Sequence, residues 1–208
     1  MGEKIFLDIE TIPAHKEHHE VLRFINVKKE AQKKKFEDFE SMLLKTSFDG
    51  AFGRILCIGY AINDNPIDIL YEKDDEKKIL EDFWELAKNA DLFIGHNVMD
   101  FDLRFIYQRS IVNNVKPTKD LSFARYRNNP IFDTMREWSK WNISNENAGL
   151  EYIALAMGIS SPKNNIDGSQ VYDYYKKGKI KEILEYCKKD VETTRLVYKR
   201  MIFENDCH

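Results

Sequence analysis

The chain has 208 residues, a net charge of −3, and 43% hydrophobic and 32% charged side chains, enough for one well-buried domain, so 1–208 is read as a single domain. Its longest apolar runs, such as Ile55-Leu56-Cys57-Ile58, are far too short to span a bilayer, and no basic–apolar–small leader opens the chain. Cys57, Cys187 and Cys207 are scattered and odd in number, which excludes a disulfide frame or zinc spacing and predicts free thiols in the cytoplasm.

The first predicted element is a strand, Ile5-Phe6-Leu7-Asp8-Ile9-Glu10-Thr11. Pro13 ends it, and residues 16–45 carry Val21, Leu22, Phe24, Ile25, Phe36, Phe39, Met42 and Leu43 at helical intervals, predicting one or two amphipathic helices. His15, His18 and His19 at their start read as surface. The basic stretches at Lys28-Lys29, Lys33-Lys34-Lys35 and Lys176-Lys177 through Lys181 read first as solvated helix faces and second as phosphate contacts. Arg54–Ile62 and Ile67–Tyr71, divided by Asn63-Asp64-Asn65-Pro66, predict a hairpin supplying antiparallel neighbours to the first strand.

A helix is expected over 75–89, a short buried strand at Leu92-Phe93-Ile94-Gly95 and a further helix over 100–111. Residues 113–149 give little pattern beyond Ile131-Phe132-Asp133. Helices follow at 150–157, 168–177 and about 180–202. Strands first, then helices alternating with a strand, argue for an α/β domain on a mixed sheet.

Asp8 and Glu10 interrupt an otherwise apolar strand. A strand alternates with period two, so both project from one face about 7 Å apart along the chain, with Ile5, Leu7 and Ile9 on the other. Burying two like charges side by side is costly unless a cation sits between them. Two further acidic motifs follow: Gly95-His96-Asn97-Val98-Met99-Asp100-Phe101-Asp102 at a strand end, and Tyr186-Cys187-Lys188-Lys189-Asp190 on the last helix. There a spacing of four puts Tyr186 and Asp190 on one helical face. A net charge of −3 is unlike a simple nucleic-acid binder, but bound divalent ions reverse the sign locally. Like charges about 4 Å apart repel by roughly 4 kcal/mol at a surface-like dielectric, so a four-carboxylate cluster should need metal.

Asp8, Glu10, Asp102 and Asp190, with Tyr186, together resemble the DEDD superfamily of 3′–5′ exonucleases in its tyrosine subtype. Phe6-Leu7-Asp8-Ile9-Glu10-Thr11 is similar, with one difference, to the F-D-I-E-T signature of family-B DNA polymerase exonuclease domains. Gly168-Ser169-Gln170-Val171 through Asp190 resembles stand-alone predicted exonucleases related to that domain. Glu185 occupies the position where the other subtype has histidine. The resemblance spans nearly the whole chain, with 14–50 and 113–149 matching poorly.

It implies a ribonuclease H-like three-layer fold, with a mixed five- to six-stranded sheet flanked by helices and 14–50 as a helical insertion after the first strand. It implies a metal-dependent 3′–5′ exonuclease acting on the 3′ end of single-stranded DNA or RNA, DNA placed ahead, and releasing nucleoside 5′-monophosphates. Two ions, Mg²⁺ or Mn²⁺, would serve it: Asp8 bridging them, Glu10 and Asp190 completing the first site, Asp102 supporting the second. Tyr186 would orient the attacking water. Thr11, His96, Asn97 and Phe101 are candidate substrate contacts, each with a structural alternative as strand end, turn or core. Asp133 opens an Asp133-Thr134-Met135 stretch for which a structural role comes first. No polymerase-sized segment lies within the sequence, so action alone or in trans with a polymerase both stay open. Two rivals keep the fold with a different outcome: a catalytically silent binding or scaffold module, and a hydrolase cutting internally or acting on a small nucleotide.

Overall fold

The computed structural model describes residues 2–31, 38–142, 148–160 and 166–204, with backbone alone at 29–31. Five strands form one mixed sheet: β1 (Glu3–Ile12), β2 (Arg54–Ile62), β3 (Asp68–Leu70), β4 (Ala90–Gly95) and β5 (Ile131–Asp133), in the order β3-β2-β1-β4-β5. β2 runs antiparallel to β1 and β3 antiparallel to β2, while β4 lies parallel to β1 and β5 parallel to β4. The hairpin therefore forms, but only its first strand neighbours β1; β3 pairs with β2 alone and closes the sheet edge.

Helices cover both faces. On one side lie α3 (Glu76–Ala87) and α4 (Asp102–Val112), whose Ile79, Leu80, Phe83, Trp84, Leu103, Phe105 and Ile106 meet Ile5, Leu7 and Ile9 in one core cluster. Their apolar residues recur every three or four positions, which is why one face of each is buried. Asp75 caps α3 by accepting from the Lys78 N–H at 3.0 Å. Trp84 is fully buried and its indole N–H donates to Ser110 Oγ at 2.8 Å, so the ring is buried without orphaning its polar atom.

The other side is covered by α8 (Ile180–Met201), with α5 (Thr134–Ser139), α6 (Leu150–Ala156) and α7 (Val171–Lys176) around it. Phe6, Ile94 and Phe132 meet Val191 and Tyr198 of α8, while Ile12 and Leu56 meet Val171 and Ile183. Asp8 and Glu10 sit on this side, between Phe6 and Ile12.

Between β1 and β2 lie α1 (His19–Ala31), α2 (Phe39–Lys45) and 3₁₀ turns at Lys16–His18 and Thr46–Phe48. Two helices form as expected, with a difference in their apolar stripe. Leu22 and Met42 are buried with Ala14, but Val21, Phe24 and Val27 are exposed. Among the described residues of the insertion, helical periodicity thus marks more apolar positions than are covered. Phe36, Lys33-Lys34-Lys35 and Cys207 lie outside the described residues.

Candidate metal and active site

Three elements converge beside the end of β1, past its last pairing with β4 at Phe6 and Ile94. β1 brings Asp8 and Glu10, α4 brings Asp102 as its first residue, and α8 brings Tyr186 and Asp190. α8 approaches this closely because Gly59, the β2 partner of Asp8, has no side chain: a Cβ there would stand 2.8 Å from Cys187 Sγ and 2.9 Å from Val191 Cγ2. Any larger residue would push the helix, and with it Tyr186 and Asp190, off the strand.

The four acids are held differently. Asp102 is 3% exposed and its Oδ1 accepts the Ile9 N–H at 3.0 Å, which ties α4 to the strand between the other two acids. Glu10 is 6% exposed. Asp8 and Asp190 are half-buried. The Tyr186 hydroxyl donates to Asp190. Asp8, Glu10 and Cys187 can each bring one ligand atom within 4.8 Å of the others.

Electrostatics reflect this crowding. Burial, then the charges of Asp102 and Asp190, pushes Asp8 well above the ordinary carboxylate range; burial, then Asp8, does the same to Glu10. Burial raises Asp102 to about 7 against the pull of the backbone N–H groups of Asp102 and Ile9. Asp190 rises to about 6, mainly by burial, with Glu151 of α6 adding repulsion. The Tyr186 hydroxyl is raised as well, by burial and then by Asp190. None of the ion pairs among the described residues includes Asp8, Glu10, Asp102 or Asp190. Asp8 and Glu10 offer paired oxygen donors of the kind a hard divalent cation takes, and Asp102 and Asp190 lie within electrostatic reach of Asp8. Cys187 is the softer neighbour. Its thiol donates to the Asp8 carbonyl at 3.6 Å and is held protonated by a hydrogen bond with Cys57 and by burial.

The four candidate substrate contacts divide. Phe101 precedes Asp102, half-buried, with its ring 5.7 Å from that of Phe105. The Thr11 hydroxyl donates to the Ser47 carbonyl at 2.7 Å, which leaves its oxygen as an acceptor. His96 stands 3.0 Å from Thr134 Oγ1 and bonds the Ala148 backbone; burial lowers it to about 4, so the imidazole is neutral at pH 7. Asn97 has φ 59, and its N–H donates to Asp133 at 3.0 Å.

Asp133 organises that turn. It caps α5 through the N–H groups of Met135 and Arg136 and also accepts from Asn97 and Met99. It is 1% exposed with four backbone donors, the structural role expected of it. Two neighbours carry no sequence signal of their own. Cys187 is visible only as a position between Tyr186 and Asp190, and Glu151 reaches the rim through the packing of α6 on α8.

The family model described as a predicted 3′-5′ exonuclease related to the exonuclease domain of PolB matches residues 56–206. Asp102, Tyr186 and Asp190 lie inside that match; Asp8 and Glu10 precede it. A DNA polymerase of Archaeoglobus fulgidus is 26% identical over 162 residues, which is 71% of this chain and 20% of the polymerase. The family B DNA polymerase of the hyperthermophilic archaeon Pyrobaculum calidifontis superposes with a TM-score of 0.66 at 16% identity, over 98% of this chain and 25% of that one. The chain thus spans a fifth to a quarter of the length of these polymerases. The sheet order and the flanking helices, with this likeness, identify the fold as ribonuclease H-like α/β. Among the described residues no helix is long and apolar enough to cross a membrane.

Proposed function

This chain belongs to the family of predicted 3′–5′ exonucleases related to the exonuclease domain of PolB, within the DEDD superfamily, and from that premise we propose that it hydrolyses single-stranded nucleic acid from the 3′ end. DNA is the favoured substrate and RNA the second, and nucleoside 5′-monophosphates are the products. Residues 1–208 act as one catalytic domain with 14–50 as a helical insertion. The buried free thiols Cys57 and Cys187 support action in a reducing compartment, the cytoplasm.

The observation that carries the proposal is the set of four carboxylates from three elements, none of them in an ion pair among the described residues, beside a tyrosine. Asp8, Glu10, Asp102 and Asp190 would hold two Mg²⁺ or Mn²⁺ ions, whose chemistry is to neutralise charge on the transferring phosphate and to acidify the attacking water. Tyr186 orients that water. Its hydroxyl is raised by burial and by Asp190, so it serves as a hydrogen-bond donor and positioner, not as a base. The oxygen of water bonds to phosphorus, the bond to the 3′ oxygen of the preceding nucleotide breaks, and that oxygen leaves with a proton. Asp133 and His96 support the reaction indirectly by fixing the β4–α4 turn that carries Asp102.

The test is degradation of 5′-labelled single strands, as DNA and as RNA, with Mg²⁺ or Mn²⁺ and with chelator. A ladder shortening from the 3′ end, abolished by chelator and by Asp8→Ala, is expected. Internal fragments would instead identify an endonuclease. No cleavage by a protein that binds Mn²⁺ would identify a silent binding module or a small-nucleotide hydrolase.

A further inference from the structure

Phe48 belongs to none of the acidic motifs, yet its side chain is 72% exposed. Single exposed apolar side chains are ordinary surface. Its position is not ordinary. The ring stands 6.2 Å from that of Phe101, at an interplanar angle of 48°, and Phe101 is the residue before Asp102. The residue before Phe48, Ser47, receives the Thr11 hydroxyl through its carbonyl, and Thr11 is the residue after Glu10. Phe48 therefore stands at the rim where β1 and α4 deliver their acids, backed by one aromatic ring and open to solvent.

The turn that carries it is clamped on both sides. Before it, Thr46 is buried, and its hydroxyl donates to the Leu43 carbonyl while accepting the Ala14 N–H at 2.9 Å. After it, Arg109 Nη1 donates to the carbonyls of Gly50 and Ala51 at 3.2 Å each, and Arg109 is itself fixed by a buried ion pair to Glu76 at 2.7 Å. Gly53 closes the turn so tightly that a Cβ there would stand 2.1 Å from the Thr46 carbonyl oxygen. A backbone held this firmly presents the ring at low cost in loop ordering.

A strand approaching this site meets a chain of net charge −3 and four clustered carboxylates, so Coulomb attraction to its phosphates is weak away from bound metal. Base stacking on an aromatic face is insensitive to that charge and tolerant of sequence. We propose that Phe48 is a substrate-positioning residue whose ring, backed by Phe101, stacks on the 3′-terminal base of the single strand. The proposal rests on the exonuclease assignment and assigns the insertion a part in holding the substrate.

The test is steady-state cleavage, with Mn²⁺, of a 5′-labelled octathymidylate ending in a normal or an abasic 3′ nucleotide, by wild type and Phe48→Ala. Far-UV circular dichroism would verify that the variant is folded. On the normal strand Phe48→Ala should raise KM about tenfold with kcat within about twofold. On the abasic strand wild type and variant should coincide, because the base that the ring would hold is gone. Phe48→Trp should restore KM, and its emission should be quenched by the normal strand. Equal KM for wild type and Phe48→Ala on the normal strand overturns the proposal, as does an equal penalty on both strands. Wild type that cleaves neither strand, nor an octauridylate run beside them, would instead overturn the exonuclease assignment, and this proposal with it, with no variant needed to see the failure.

Discussion

The two faces of β1 face opposite environments within one ten-residue strand. Toward α3 and α4, Ile5, Leu7 and Ile9 enter an aromatic core with Phe83, Trp84 and Phe93, where each contact adds to stability. Toward α8, only Phe6 and Ile12 do so, and between them Asp8 and Glu10 are packed where burial and mutual repulsion raise both. One face stabilises the fold, and the other is stabilised by it. A strand fixed on its apolar side can hold carboxylates on its other side at a separation they would not choose.

That contrast can be broken from either face. The largest effect expected is on activity: Asp8→Ala should lower kcat/KM by about 10³-fold or more while leaving the thermal midpoint of the chelated protein unchanged or higher. On the opposite face, Leu7→Ala should lower stability by about 3 kcal/mol, or roughly 6–12 °C in the midpoint, with kcat preserved below the transition. Calorimetry together with cleavage rates at 25 °C would check both, and a Leu7→Ala protein that kept its midpoint would refute the assignment of this face as core. Tyr186→Phe should come next, lowering kcat by roughly 10²-fold through misplaced water, with Mn²⁺ affinity unchanged by titration. A matching loss of Mn²⁺ affinity would show that the hydroxyl holds the acids, not the water.

The comparison can also be sharpened through pH. In the folded protein Asp102 titrates at about 7 and Asp190 at about 6, against a value near 4 when unfolded. Between these values the folded state holds protons that the unfolded chain releases, so stability falls as pH rises through the window. With chelator, the midpoint should fall as pH rises from 4.5 to 7.5. Saturating Mn²⁺ should cancel or reverse the slope, since metal binding requires the ionised carboxylates. A flat chelated profile would mean that the acids are less crowded than their packing implies.

Much of the frame was legible in the chain. Period-two and period-3.6 patterns located the strands and the long helices to within two or three residues, because those elements bury a face large enough to mark the sequence. The pairing of β3 was not legible: a hairpin pattern says that two strands pair, and it does not say which of them meets the rest of the sheet. Nor was the exposure of Val21, Phe24 and Val27, because an amphipathic pattern records where a helix could be covered and not whether anything lies opposite it. At the site, the spacing of Asp8 with Glu10 and of Tyr186 with Asp190 follows from local geometry alone. Thr11 shows the limit of that geometry, since the partner of its hydroxyl is a carbonyl 36 residues away.

The sequence by itself determined the acid pairs and their faces, because strand and helix periods are properties of neighbouring residues, and their motifs carried the resemblance to the family. Only the tertiary structure decided what joins those pairs. The Ile9 N–H holding Asp102, the bare Gly59 that lets α8 descend, and the Arg109–Glu76 pair that clamps the turn bearing Phe48 all link residues distant in the chain. Such links depend on which surfaces remain to be buried once the local elements have formed, and no local pattern encodes that.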